Sequence, residues 1–70
     1  MNPEQQKLHD EVVQSADNFG LEVQKNEMVG EKFKVTFTGN ITDEDTKALA
    51  VKFPKVVFSL EGEDTIVTEK

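Results

Sequence analysis

Between Phe33 and Leu60 the chain spells strand, helix and strand, and nearly every boundary carries its own chemical mark. Phe33, Val35 and Phe37 alternate with Lys34, Thr36 and Thr38, the period-2 pattern of a strand with one buried face. Gly39-Asn40 ends the alternation, and Thr42 then offers a hydroxyl to the free N–H groups of a helix start. Asp43, Glu44 and Asp45 follow in the first turn, where negative charge complements the positive end of the helix dipole. Leu49, Ala50 and Phe53 supply the expected buried stripe before Pro54 stops the helix. Val56, Phe58 and Leu60 then alternate with Val57 and Ser59 as a second strand. These elements fix a mixed fold class, and they leave function open.

The flanks extend the pattern. Asn2 is placed to cap a first helix with Pro3 in its first turn, where a missing N–H costs nothing. Leu8, Val12, Ala16 and Phe19 recur at helical spacing, and Gly20 is suited to a left-handed stop. Leu21 and Val23 alternate with Glu22 and Gln24, a first strand, and a connection from Asn26 to Gly30 leads back into the Phe33 strand as a hairpin. At the other end Glu61-Gly62-Glu63-Asp64 turns the chain into Thr65-Ile66-Val67-Thr68. With Gly62-Glu63 as a two-residue type II′ turn, Leu60 pairs with Thr65 and Phe58 with Val67, and Ile66 points outward; a register shifted by one turns Val67 outward instead.

The order α-β-β-α-β-β predicts an α+β two-layer sandwich, a four-stranded sheet with both helices on one face and a right-handed crossover between the second and third strands. The two halves share that order without a residue-level repeat. No linker or low-complexity stretch divides residues 1–70, so one small domain is expected, with a core too small to leave much stability in reserve.

Composition narrows function by exclusion. There is no cysteine, so neither disulfides nor a thiolate metal site staples the fold. No apolar run approaches the roughly 20 residues that span a bilayer, and Met1-Asn2-Pro3-Glu4-Gln5-Gln6 lacks the pattern of a signal peptide; a cytoplasmic protein is expected, without a membrane partner. The net charge is -6, every basic residue is lysine, and arginine, tryptophan and tyrosine are missing, which argues against nucleic acid as a partner.

Signs of catalysis are also sparse, and no enzyme or cofactor is expected. His9 neighbours Asp10, but adjacent helical residues diverge and are not expected to form a dyad. Ser15 and Ser59 carry no nucleophile signature, and Gly20, Gly30, Gly39 and Gly62 fall at element ends rather than in a phosphate loop. Asp43, Glu44 and Asp45, or Glu61, Glu63 and Asp64, have the oxygen chemistry for a hard cation, but neither set has the spacing of a calcium loop, and no metal ligands are assigned.

Val35-Thr36-Phe37-Thr38-Gly39-Asn40-Ile41-Thr42-Asp43-Glu44, with Ala48, Ala50, Pro54 and Val56, resembles the middle of a BON domain: an apolar strand ending in Thr-Gly, an acidic cap, an alanine-bearing helix and a proline-led entry to a strand. The resemblance implies an envelope-associated module that contacts membranes or other proteins.

The residues themselves favour a small acidic interaction module, a regulator, inhibitor or assembly factor of the kind carried by phage or accessory genes, binding another protein or itself. Its contact surface is expected at Val57 with Ile66 or Val67 on the helix-free face, and next at Met28 and Val29 near the first hairpin tip. A sharper form is mimicry of nucleic acid, with Glu4, Asp10, Glu11, Asp17, Asp43, Glu44 and Asp45 offering negative charge to a basic site.

Overall fold

The first helix, α1, covers Pro3–Asn18 and begins with a reciprocal cap: Asn2 Oδ1 accepts from Gln5 N at 2.8 Å, and Gln5 Oε1 accepts from Asn2 N at 3.1 Å. The structure is a computed structural model and describes all 70 residues, Met1 to Lys70. Five elements follow: β1 (Glu22–Val29), β2 (Lys32–Thr38), α2 (Asp43–Lys52), β3 (Val56–Glu61) and β4 (Asp64–Glu69). The expected α-β-β-α-β-β order and α+β class are therefore what the chain forms.

All strand neighbours are antiparallel, in the order β1-β2-β4-β3. β4 thus lies between β2 and β3, which run parallel to each other, and α2 carries the chain across that intervening strand. One cluster of eleven buried apolar residues joins Val12 and Ala16 of α1, Leu49 of α2 and Phe53 just beyond it to Phe33, Val35, Phe37, Val56 and Val67 of the sheet. The register puts these strand residues on one face, because directly opposed residues share a face. Both helices therefore cover that face and leave the other open.

The β3–β4 turn follows the expected type II′ form. Gly62 has φ 62 and Glu63 has no positive φ, while Leu60 pairs with Thr65 and Phe58 with Val67. This register sends Val67 into the core, where it is fully buried, and corrects its candidacy as a surface contact; Ile66 takes the outward position. Thr65 shares the inner face, and its hydroxyl donates to the Gly39 carbonyl at 2.8 Å, which removes the cost of burying it.

Four local expectations are corrected. β1 does not end at Gln24; it runs to Val29, and the connection shrinks to Gly30-Glu31, with Gly30 at φ 65. Ala50 is exposed, and Leu49 alone is buried within α2, because a ten-residue helix lying on a sheet presents only a narrow stripe. Phe19 is the residue just after α1 and is exposed rather than part of its buried stripe. Leu60 faces inward with Thr65 but is 47% exposed, since β3 is an edge strand with nothing beyond it. No helix is long and apolar enough to cross a membrane.

Candidate functional site

β1 is the one strand that the fold leaves uncovered. In its register Val23 opposes Phe37, Asn26 opposes Val35 and Met28 opposes Phe33, so all three lie on the helix-covered face. Their partners on β2 are completely buried, whereas Val23 is 46% and Met28 43% exposed. Burial collapses across one strand spacing, about 4.8 Å. The cause is where α1 lands: its buried residues His9, Val12, Ser15 and Ala16 pack toward β2 and the core, and the helix overhangs β1 without sealing it.

A groove of about 380 Å³ runs between α1 and β1. Leu21 and Val23 form its floor, Val13 its helix wall, and Asp10, Asp17 and Glu22 its rim. The outer long edge of β1 has no strand beside it. The β1–β2 register slips between Val23 and Lys25, a bulge at Gln24, and from Lys25 to Val29 the strand is regular.

His9 also borders this groove, and here the expectation of no His–Asp contact is wrong. His9 Nδ1 lies 3.2 Å from Asp10 Oδ1, because Nδ1 is the ring nitrogen nearest the backbone and reaches the next side chain along the helix. Gln6 Nε2 donates to the same oxygen at 2.8 Å. These hydrogen bonds, His9's first and Gln6's second, hold the Asp10 carboxyl below its ordinary value of 3.8. The other ring nitrogen, Nε2, is buried without a partner, and the ring meets Phe33 edge-on at 5.4 Å. The Asp10 contact thus fixes the imidazole against the core and leaves no ring nitrogen open to a substrate.

The remaining sequence-derived candidates are dispersed. On the helix-free face Val57 stands beside Thr68, and Ile66 sits between Thr36 and Ser59, so the two apolar residues touch only diagonally within a hydroxyl-rich surface. Val29 shares that face beside Lys32, whereas Met28 is turned to the other side, and the two do not make one patch. Glu4 and Glu11 are seven residues apart on α1, as are Asp10 and Asp17, so the four form two adjacent exposed stripes. Lys7 and Lys55 share a groove with Glu4 and Glu11. Lys52 reaches from α2 to Ser15 Oγ at 3.3 Å, and its ammonium stands 5.3 Å from the Phe53 ring centroid. Asp43, Glu44 and Asp45 remain at the start of α2, where Thr42 Oγ1 caps the Asp45 N–H at 3.1 Å. Nowhere do three His, Asp or Glu side chains come together as a cation site.

The sequence points to Met28 and Val29 only as residues near a hairpin tip, and the rest of β1 escapes as a surface because Gln24 to Val29 lacks alternation. The usable signal was Gly30-Glu31, a two-residue Gly-X turn that demands paired strands on both sides. No protein-family model matches the chain, and no curated protein or solved structure is significantly similar to it, so the BON likeness rests on the quoted residues alone.

Proposed function

We propose that this is a non-enzymatic cytoplasmic protein-interaction module, a regulator, inhibitor or assembly factor, that docks through β1. The observation carrying this reading is that β1 is open on both faces and along one edge while the inner face of the strand beside it is completely buried. An extended segment laid along the free edge gains main-chain hydrogen bonds, and its side chains reach the floor of the groove at Leu21 and Val23. Backbone pairing supplies affinity, and the groove supplies selectivity.

The helix-free face is the rival surface, and substitution separates the two. Val23→Lys is expected to abolish capture of the partner from source-cell extract, and Val57→Lys to leave it intact, with circular dichroism confirming the fold of both. Loss of capture with Val57→Lys alone moves the site to the opposite face. Mimicry of nucleic acid draws on the two acidic stripes of α1, but Lys7, Lys52 and Lys55 interrupt the field, and docking at β1 is the better supported reading.

A further inference from the structure

We propose that the occupant of the β1 edge is β1 of a second copy of this chain, paired antiparallel about a two-fold axis at Asn26, with each Lys25 facing the second copy's Glu27. The inference rests on the docking reading and names its partner.

The geometry admits few alternatives. A closed pair of identical chains is two-fold symmetric and uses the same patch twice. In one continuous sheet, opposed residues must share a face, so the axis passes through a residue and places it opposite its own copy. In the regular stretch from Lys25 to Val29, an axis at Lys25 opposes two lysines, and an axis at Glu27 opposes two glutamates. An axis at Met28 sets Glu27 opposite Val29, and an axis at Val29 sets Glu27 opposite Glu31, so neither gives Glu27 a lysine partner. Only the axis at Asn26 is complementary in charge.

That axis also suits the backbone. Val29 and Lys32 close a two-residue loop and so form a hydrogen-bonded pair. Alternation along the ladder then turns the peptide groups of Asn26 and Met28 toward the free edge. Asn26 exchanges both bonds with its own copy, Lys25 and Glu27 face one another on either side of it, and the regular overlap ends at the bulge, where Gln24 turns to Thr38 Oγ1 on the helix-free face. On the helix-free face Lys25 Nζ already lies 3.6 Å from Glu27 Oε2 of the same strand. Adding the second copy closes a ring of four alternating charges, in which each lysine stands between two carboxylates.

The edge is also the longer of the two in the sheet. Natural edge strands are kept from pairing by short length, proline, bulges or charged side chains, and a charge protects only where the partner does not match it. The other edge strand, β3, is six residues long and entered through Pro54, whereas β1 has eight residues and no proline, its bulge at Gln24 bounds the regular stretch from Lys25, and its edge charges Lys25 and Glu27 are the ones the pairing matches.

Sedimentation velocity from about 10 μM to about 1 mM at near-physiological salt tests the pairing. Wild type is expected to move from monomer to dimer with concentration. Lys25→Glu and Glu27→Lys should each weaken dimerisation roughly tenfold, since each puts like charges opposite one another twice, and the double exchange should restore it. Asn26→Pro should abolish it while leaving the β1–β2 ladder whole, because the lost N–H points to the edge. Circular dichroism of every variant reports the fold. A chain that stays monomeric at about 1 mM, single reversals without effect, or a double exchange that fails to restore association each overturn the proposal. A monomeric wild type whose capture of a different protein is lost in Asn26→Pro removes self-pairing and leaves docking at β1 standing.

Discussion

Gln5 Nε2 donates to Glu69 Oε1 at 2.7 Å, tying the first turn of α1 to the end of β4 across 64 positions of sequence. The same Gln5 nitrogen donates to the Glu31 carbonyl at 2.6 Å, and the same Glu69 oxygen accepts from Phe33 N at 3.2 Å. One amide thus serves the helix cap, the β1–β2 turn and the end of the chain.

Gln5→Ala removes the side-chain half of the reciprocal cap and both long-range bonds while keeping the backbone N–H donated to Asn2, and it is expected to lower stability by about 1–2 kcal/mol. In a domain of this size that corresponds to a fall in Tm of roughly 5–15 °C. Gln5→Glu is the sharper variant. Glutamate serves equally well in a capping box, but here it sets a second carboxylate against Glu69. Chemical denaturation should place Gln5→Glu well below wild type at neutral pH, and equal stability would show that the Glu69 contact contributes nothing.

Gly39 holds the far end of β2 in a conformation that other residues resist. Its φ is 109, and a Cβ there would come to 3.0 Å from Leu21 Cδ2. Its N–H donates to the Glu63 carbonyl at 3.0 Å, and its carbonyl takes the buried Thr65 hydroxyl. Gly39→Ala is expected to cost about 1–3 kcal/mol through backbone strain, with Leu21 displaced. Thr65→Val, nearly the same shape, leaves the Gly39 carbonyl without its hydroxyl partner and should cost about 1–2 kcal/mol. Urea midpoints of the two variants measure both.

Where one face of an element is buried, the sequence was readable. β2 alternates cleanly because its inner side chains fill the core and its outer ones meet solvent, and the Gly62-Glu63 turn fixed the β4 register that buries Val67. The sequence does not mark the full length of β1 for the converse reason: exposed on both faces, it has no burial to impose a period. The candidate site is built from that same strand, so the feature that hid it from pattern reading is the one that leaves it available for pairing. The His9–Asp10 contact was missed because spacing rules describe where side chains leave the helix, not how far a ring nitrogen close to the backbone can reach.

Asp10 gives a pH dependence of definite sign. Its folded carboxyl is held below 3.8, mainly by His9 and then by Gln6. A depressed acid contributes stability that is present above its unfolded value and is lost as pH falls through the folded one. Wild type should therefore lose more stability between pH 5 and pH 3 than Asp10→Asn, which has no carboxylate to protonate. Because the side chain is solvent-facing, the effect is modest and should shrink with added salt. Urea midpoints for the two proteins across that range supply the comparison, and parallel curves would remove Asp10 from the acid limb.

With no thiols, and with no three ligating side chains gathered, folding should be a single cooperative transition. The melt followed by circular dichroism is expected to be unchanged by reductant, by chelator and by added calcium or zinc. A large upward shift with either ion, reversed by chelator, would revise the reading of the acidic residues as surface charge.

The helix-free face is the strongest challenge to the expectation that the protein does not bind nucleic acid. Lys25, Lys32 and Lys34 all project from it, among Thr36, Thr38 and Thr68. Lys25 is already engaged by Glu27, and Lys34 stands directly across from the same carboxylate. This leaves little net positive charge on a molecule of net charge -6. Proteins that hold duplexes at physiological salt neutralise roughly 6–10 phosphates, far beyond what this face supplies, and no arginine or exposed ring is present there to stack on a base. Fluorescence anisotropy with single- and double-stranded DNA and RNA at near-physiological salt should show no binding tighter than about 1 μM. Glu27→Lys turns the face more basic and is the control for its electrostatics: a steeply salt-dependent affinity appearing only in that variant means that charge alone was limiting, whereas sub-micromolar binding by the wild type overturns the argument.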